Sequence, residues 1–268
     1  IYIRYMYNLY GGNLNNYNQN HYNQNGGNLI SIQNSNMTNL LMATGSIYRG
    51  NDNNFDENYL RDAMDKLIKK INNNDLSREE AELLYKELKF VGYKMKRQNR
   101  HILKCKKKTL FFDDVLSNFV DDNDNIQKNC RRVGCIFLES PLDIDGLAII
   151  ILKIKLGKIK KIFFDWDKTL SYQDGFKQDM INSNNSLSNN LEFFLGNSNR
   201  RKLIEKIFNS GINIIILSAN PVIQYQYNKN PITLLLKIIG IDRNNYKTKY
   251  SPWNNNKSEK MARIFELI

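Results

Sequence analysis

Apolar residues are sparse at the start of the chain and fall into two different rhythms later, so their spacing alone divides it. Residues 1–54 run through Tyr, Asn, Gln and Gly, as in Asn15-Asn16-Tyr17-Asn18-Gln19-Asn20, with no sustained apolar period. Such a tract buries too little apolar surface to offset the entropy lost on ordering, which predicts a disordered low-complexity segment. From Tyr59 the period becomes helical: Tyr59, Leu60, Ala63, Met64, Leu67, Ile68 and Ile71 form one stripe. Asn72-Asn73-Asn74 stops it. Ser77-Arg78-Glu79-Glu80 has the form of a capping box, and Leu84, Leu88 and Val91 continue one apolar face behind it. The pair predicts a helical hairpin within a basic accessory region over residues 55–132.

Beyond Val133 the rhythm shortens. Residues 135–138, 148–154 and 159–164 are compact apolar runs that predict strands, and Gly157 between the last two suggests a hairpin. Helix near residues 200–208, strand over 212–217, helix over 232–239 and helix from Lys257 to the end complete the series. Strands alternating with helices predict an α/β fold with a Rossmann-like parallel sheet over residues 133–268.

Composition changes this picture only in part. The formal net charge is +12 and the sequence pI about 9.4, a balance that favours anionic partners. Asn, Lys and Ile are all abundant, a bias that also follows from AT-rich coding and discounts the charge as evidence. The densest basic run, residues 94–108 from Lys94 to Lys108, is either a surface for nucleic acid or a solvated face. Asp121 to Asn125 lacks the glycine and glutamate of a calcium loop and reads as a surface loop. Cys105, Cys130 and Cys135 form no CxxC and the only histidines are His21 and His101, which argues against structural zinc and for reduced thiols. The longest aliphatic run falls far short of the ~20 residues that cross a bilayer. A soluble intracellular protein without a membrane partner is expected, and a first residue of Ile suggests a fragment.

The chemistry concentrates in Lys161-Ile162-Phe163-Phe164-Asp165-Trp166-Asp167-Lys168-Thr169-Leu170. An apolar strand ends in two carboxylates two residues apart, at the edge where open α/β sheets build their sites. One carboxylate can attack while the other moves a proton. Trp166 either flanks the site or packs beside the strand.

This run resembles the DxDxT signature of the haloacid dehalogenase (HAD) superfamily, mostly Mg²⁺-dependent phosphatases and phosphotransferases. The resemblance implies that Asp165 is the nucleophile that becomes phosphorylated, that Asp167 is the acid/base, that both serve the Mg²⁺ site, and that Thr169 supports the turn beside the phosphate. It also implies a strand ending in a hydroxyl residue. Ile212-Asn213-Ile214-Ile215-Ile216-Leu217-Ser218-Ala219-Asn220 fits, with Ser218 and Asn220 at the phosphate. A lysine opening a later helix should follow, and Lys257 is the choice, with Lys260 a turn further on left open. Mg²⁺ and lysine would offset the repulsion of two carboxylates and a phosphate, several kcal/mol at short range.

The family's fourth motif, a strand ending in acidic residues, should come after the lysine helix. The chain stops at Ile268 inside that helix, so the core is expected to be incomplete at its C-terminus and the metal site short of ligands. The motif spacings, 218 − 165 = 53 and 257 − 218 = 39 positions, leave no room for a large cap. An open site suits a macromolecular phosphorylated substrate, or a lid supplied by the helical half. The alternative is a non-catalytic nucleic-acid-binding or scaffolding protein built on a degenerate core.

Overall fold

The computed structural model describes residues 53–115, 132–176, 184–224, 230–252 and 259–268. Of the 1–54 tract only the last two residues fall within this set; the Asp121 loop, Cys130, Trp253 and Lys257 lie outside it. Five strands form one sheet: β1 (Thr109–Asp113), β2 (Gly134–Phe137), β3 (Lys161–Asp165), β4 (Asn213–Ser218) and β5 (Lys247–Tyr250). All are parallel, in the order β2-β1-β3-β4-β5. The helices are α1 (Asn53–Asn72), α2 (Arg78–Val91), α3 (Arg97–Lys104), α4 (Ile144–Lys155), α5 (Asn184–Asn189), α6 (Leu191–Leu195), α7 (Ser198–Phe208), α8 (Pro231–Ile238) and α9 (Glu259–Glu266). The Rossmann-like α/β architecture is therefore present. No described helix is long and apolar enough to cross a membrane.

The inner strands β1, β3 and β4 are buried on both faces, as parallel strands covered by helices are. Leu110, Phe112, Ile162, Phe164, Ile214 and Ile216 point one way into a core shared with α1, α2, α3, α4, α7 and α8. Phe112 stacks on Phe164 at 5.2 Å and Phe164 on Phe208 at 6.1 Å. Phe111, Phe163, Ile215 and Leu217 point the other way and are covered by Val133 and by Ile264 of α9. Each buried Phe or Ile stabilises the sheet by roughly 1.5–3 kcal/mol. The helical hairpin forms where its stripe predicts, with Ser77 and Glu80 exchanging both capping-box bonds at 3.1 Å. It belongs to the same core as the sheet, because α1, α2 and α3 all pack on α4.

Three expectations fail, each for a physical reason. Residues 148–154 are helical, within α4. An apolar run this short does not distinguish a buried strand from a buried helix. Asp143 caps α4 by accepting the Gly146 amide at 2.9 Å, and Asn99 donates to the same carboxylate oxygen at 3.0 Å. Gly157, at φ +65°, ends the helix and does not turn a hairpin: its amide donates to Ile154 and that of Lys158 to Lys153. The second failure is β1, which lies inside the region expected as helical and occupies a central place in the sheet. The third is β5, an edge strand of exposed Lys247 and Lys249 and half-buried Thr248 and Tyr250 that carries too little apolar signal to be read.

Candidate active site

Register brings the chemistry to one edge. Phe112 is opposite Phe164, so Asp113 and Asp165 follow side by side at the carboxyl ends of β1 and β3. Asp165 is opposite Leu217, which puts Ser218 one step further at the end of β4. Neighbouring parallel strands lie roughly 4.8 Å apart, so these side chains are within mutual reach.

Lys260 of α9 closes the group. Its Nζ is 3.0 Å from Asp165 Oδ1 and 3.1 Å from Asp113 Oδ2, and all three residues are buried. Lys260, the lysine a turn further on, is thus brought to Asp165, while Lys257 lies outside the described residues. Burial lowers the Lys260 pKa, but Asp165 and Asp113 together outweigh it and hold the ammonium above its ordinary value. Burial pushes Asp165 well above the usual carboxylate range; Lys260 opposes this, while Asp113 and Asp167 add to it.

Asp113, Asp114 and Asp165 each offer a carboxylate oxygen, and these atoms lie within 4.8 Å of one another. Three hard oxygen donors on a rigid edge fit a small divalent cation such as Mg²⁺. Asp114 is half-buried and its pKa is raised by burial and by Asp113, a proton affinity that a cation would offset. Asp113 Oδ1 accepts the Val115 amide at 2.9 Å, which fixes the carboxylate.

Asp167 is not in that triad. The chain leaves β3 in a wide turn over Trp166–Leu170, with Lys168 at φ +49° and the Ser171 amide returning to the Trp166 carbonyl at 2.9 Å. The turn sets Asp167 Oδ1 on the Gly175 amide at 2.7 Å and Oδ2 at 3.4 Å from the Ser218 hydroxyl. Burial raises its pKa, and the Gly175 bond works against that. Ser218 Oγ accepts the Asn220 amide at 3.0 Å, and Asn220 Oδ1 accepts the Val222 amide at 3.1 Å. Thr169 is buried and its carbonyl accepts the Leu142 amide, which ties the turn to the start of α4; its hydroxyl has no partner among the described residues. Trp166 is fully buried and stacks toward Phe176 at 6.3 Å, so it packs in the core and does not line the site.

Asp165, Asp167, Ser218 and Asn220 thus lie at one edge of the sheet. Asp113 and Asp114 are the site residues that motif reading missed, although Leu110-Phe111-Phe112-Asp113 nearly repeats Ile162-Phe163-Phe164-Asp165. That near-repeat was the available signal. No family model, curated protein or solved structure matches the chain.

Proposed function

We propose that this edge is the active site of a metal-dependent phosphoryl-transfer enzyme, and more narrowly that the chain is a HAD-type phosphatase whose motif order is rotated. The observation that carries the reading is the Asp113–Lys260–Asp165 cluster beside Asp167 and Ser218. In the family resemblance the acidic strand follows the lysine helix; here Asp113 precedes Asp165 by 165 − 113 = 52 positions, yet β1 lies directly beside β3. The order acidic strand, DxDxT strand, Ser strand, lysine helix is a cyclic shift of the family's order. The carboxylates expected beyond Ile268 thus have counterparts earlier in the chain.

On this reading a carboxylate oxygen of Asp165 attacks the phosphorus of a monoester, and the bond to the leaving oxygen breaks. Asp167, protonated and oriented by Gly175, gives that oxygen its proton. Water then attacks the aspartyl-phosphate with Asp167 accepting a proton, which restores both carboxyl groups and releases phosphate. Ser218 and Lys260 hold the phosphoryl oxygens. Mg²⁺ held by Asp113, Asp114 and Asp165 would neutralise the charge that gathers there. The non-catalytic alternative drew on the absence of acidic partners, and Asp113 and Asp114 weaken that motive.

Trapping the covalent intermediate tests the mechanism. Brief reaction with a small phosphoryl donor and Mg²⁺, followed by acid quench and peptide mass spectrometry, should place one phosphoryl group on Asp165. Modification on another residue, or an unmodified Asp165 during demonstrable turnover, would sink it.

A further inference from the structure

Seven exposed lysines gather at the opposite edge of the sheet. α3 runs beside α4 in the same direction: Asn99 meets Asp143 at the start of α4, and buried Lys153 near its end donates to the carbonyls of Ile102 and Cys105 at 2.6 and 2.7 Å. The basic run is therefore split along its length. Its first cations are matched: Lys94 with Glu57, Lys96 with Asp143, Arg97 with Glu139. Lys104, Lys106, Lys107 and Lys108 continue down to the loop entering β1, exposed and with no ion pair among the described residues. The loop entering β3 lies against it, because the amides of Lys160 and Lys161 both donate to the Lys108 carbonyl, at 2.8 and 3.2 Å. That loop adds Lys155, Lys158 and Lys160, exposed and likewise without an ion pair among the described residues.

Residues 88–112 and 146–164, which supply this surface, contain no Asp or Glu. Lysine abundance from coding bias would scatter among carboxylates, as it does on the hairpin, where Lys70 pairs with Glu80 at 2.6 Å and Arg78 with Glu82 at 3.7 Å. Seven like charges without an ion pair among the described residues, on two adjoining loops and the helix ends that lead into them, repel one another and oppose folding, a cost that a polyanion would relieve. Beside this surface, Lys158 and Lys89 lie over the Tyr85 ring of α2 at 4.8 and 5.5 Å, along a groove of about 360 Å³ that Glu82, paired with Arg78, also lines. Burial first, and then Arg97, Arg100 and Lys104, lower the His101 pKa from its usual value, while Glu139 works against them. Between these lysines stand only Cys105, Leu156, Gly157 and Ile159, none an exposed large apolar side chain that could enter a bilayer.

We propose that this lysine-bearing edge binds the phosphate backbone of a nucleic acid, independently of the Asp165 site. A strand of five residues at about 3.3 Å each separates the two edges by roughly 15 Å. A bound strand therefore docks the protein without occupying the carboxylates.

Fluorescence anisotropy with labelled RNA and DNA oligonucleotides, between about 50 and about 200 mM salt, tests this. Expected is tight binding at low salt with a steep log–log salt slope. The triple variants Lys106→Gln/Lys107→Gln/Lys108→Gln and Lys155→Gln/Lys158→Gln/Lys160→Gln should each weaken it and flatten the slope by up to about 0.9 per lost phosphate contact. Arginine at the same positions should keep binding, which separates lost charge from lost folding. Asp165→Asn should bind like the wild type, so failure of the phosphatase reading leaves this result untouched. No binding at low salt, wild-type binding in both Gln variants, or loss in Asp165→Asn would overturn the proposal. Binding to phosphatidylserine vesicles without binding to nucleic acid would replace it with a membrane surface.

Discussion

Arg200 is buried, and its guanidinium donates to the carbonyls of Leu142, Leu170 and Leu195 at 2.8, 2.8 and 2.7 Å while lying over the Tyr172 ring at 4.3 Å. One planar fork thus joins the approach to α4, the exit of the Asp167 turn and the end of α6. Lysine carries a charge but not that fork. Arg200→Lys should therefore destabilise by about 3 kcal/mol or more in urea unfolding, since buried carbonyls lose charge-assisted partners. Lys153 makes a different prediction. Burial lowers its pKa from 10.5 to about 8, so between those values the unfolded chain binds more protons and stability rises with pH. Below about pH 8 the effect is constant. The unfolding free energy of the wild type should gain on that of Lys153→Met from about pH 8 to 10.5; a difference that is flat or shrinks over that range would refute the assignment. At this scale Asp165, Asp167 and Ser218 were legible because their residue types and spacing carry chemistry. Lys260 was not separable from Lys257, because both fall near the start of one expected helix and a sequence does not say which lysine turns toward a strand it has not located.

At the scale of elements, what the sequence shows depends on whether neighbours in the chain define the feature. The α2 cap is local: Ser77 and Glu80 satisfy each other within one turn. Ser77→Ala should cost about 1 kcal/mol in thermal or urea unfolding; no measurable change would mean that α2 is held wholly by its packing on α1 and α4. α4 was hidden because nearly every side of it is buried, with Leu147, Ala148, Ile149, Ile150 and Leu152 all covered, so no polar stripe marks its period. β1 was hidden because its apolar core is short and follows a basic run. Its importance comes from lying next to β3, a long-range pairing that local pattern does not express.

At the scale of the molecule, the sheet is bipolar. Its carboxyl edge collects Asp113, Asp114, Asp165 and Asp167 around one buried lysine, and its amino edge collects lysines without an ion pair among the described residues. The parallel α/β class was legible from alternation alone, but strand order was not, and strand order decides whether the site is complete. Folded, β1 brings Asp113 and Asp114 beside Asp165. The most direct measurement is Mg²⁺-dependent phosphate release from a generic aryl phosphate by the wild type, by Asp165→Asn and by Asp113→Asn. Expected are turnover in the wild type, none in Asp165→Asn, and a loss of at least about 10²-fold in Asp113→Asn. Wild-type turnover in a correctly folded Asp113→Asn protein would contradict the rotated site.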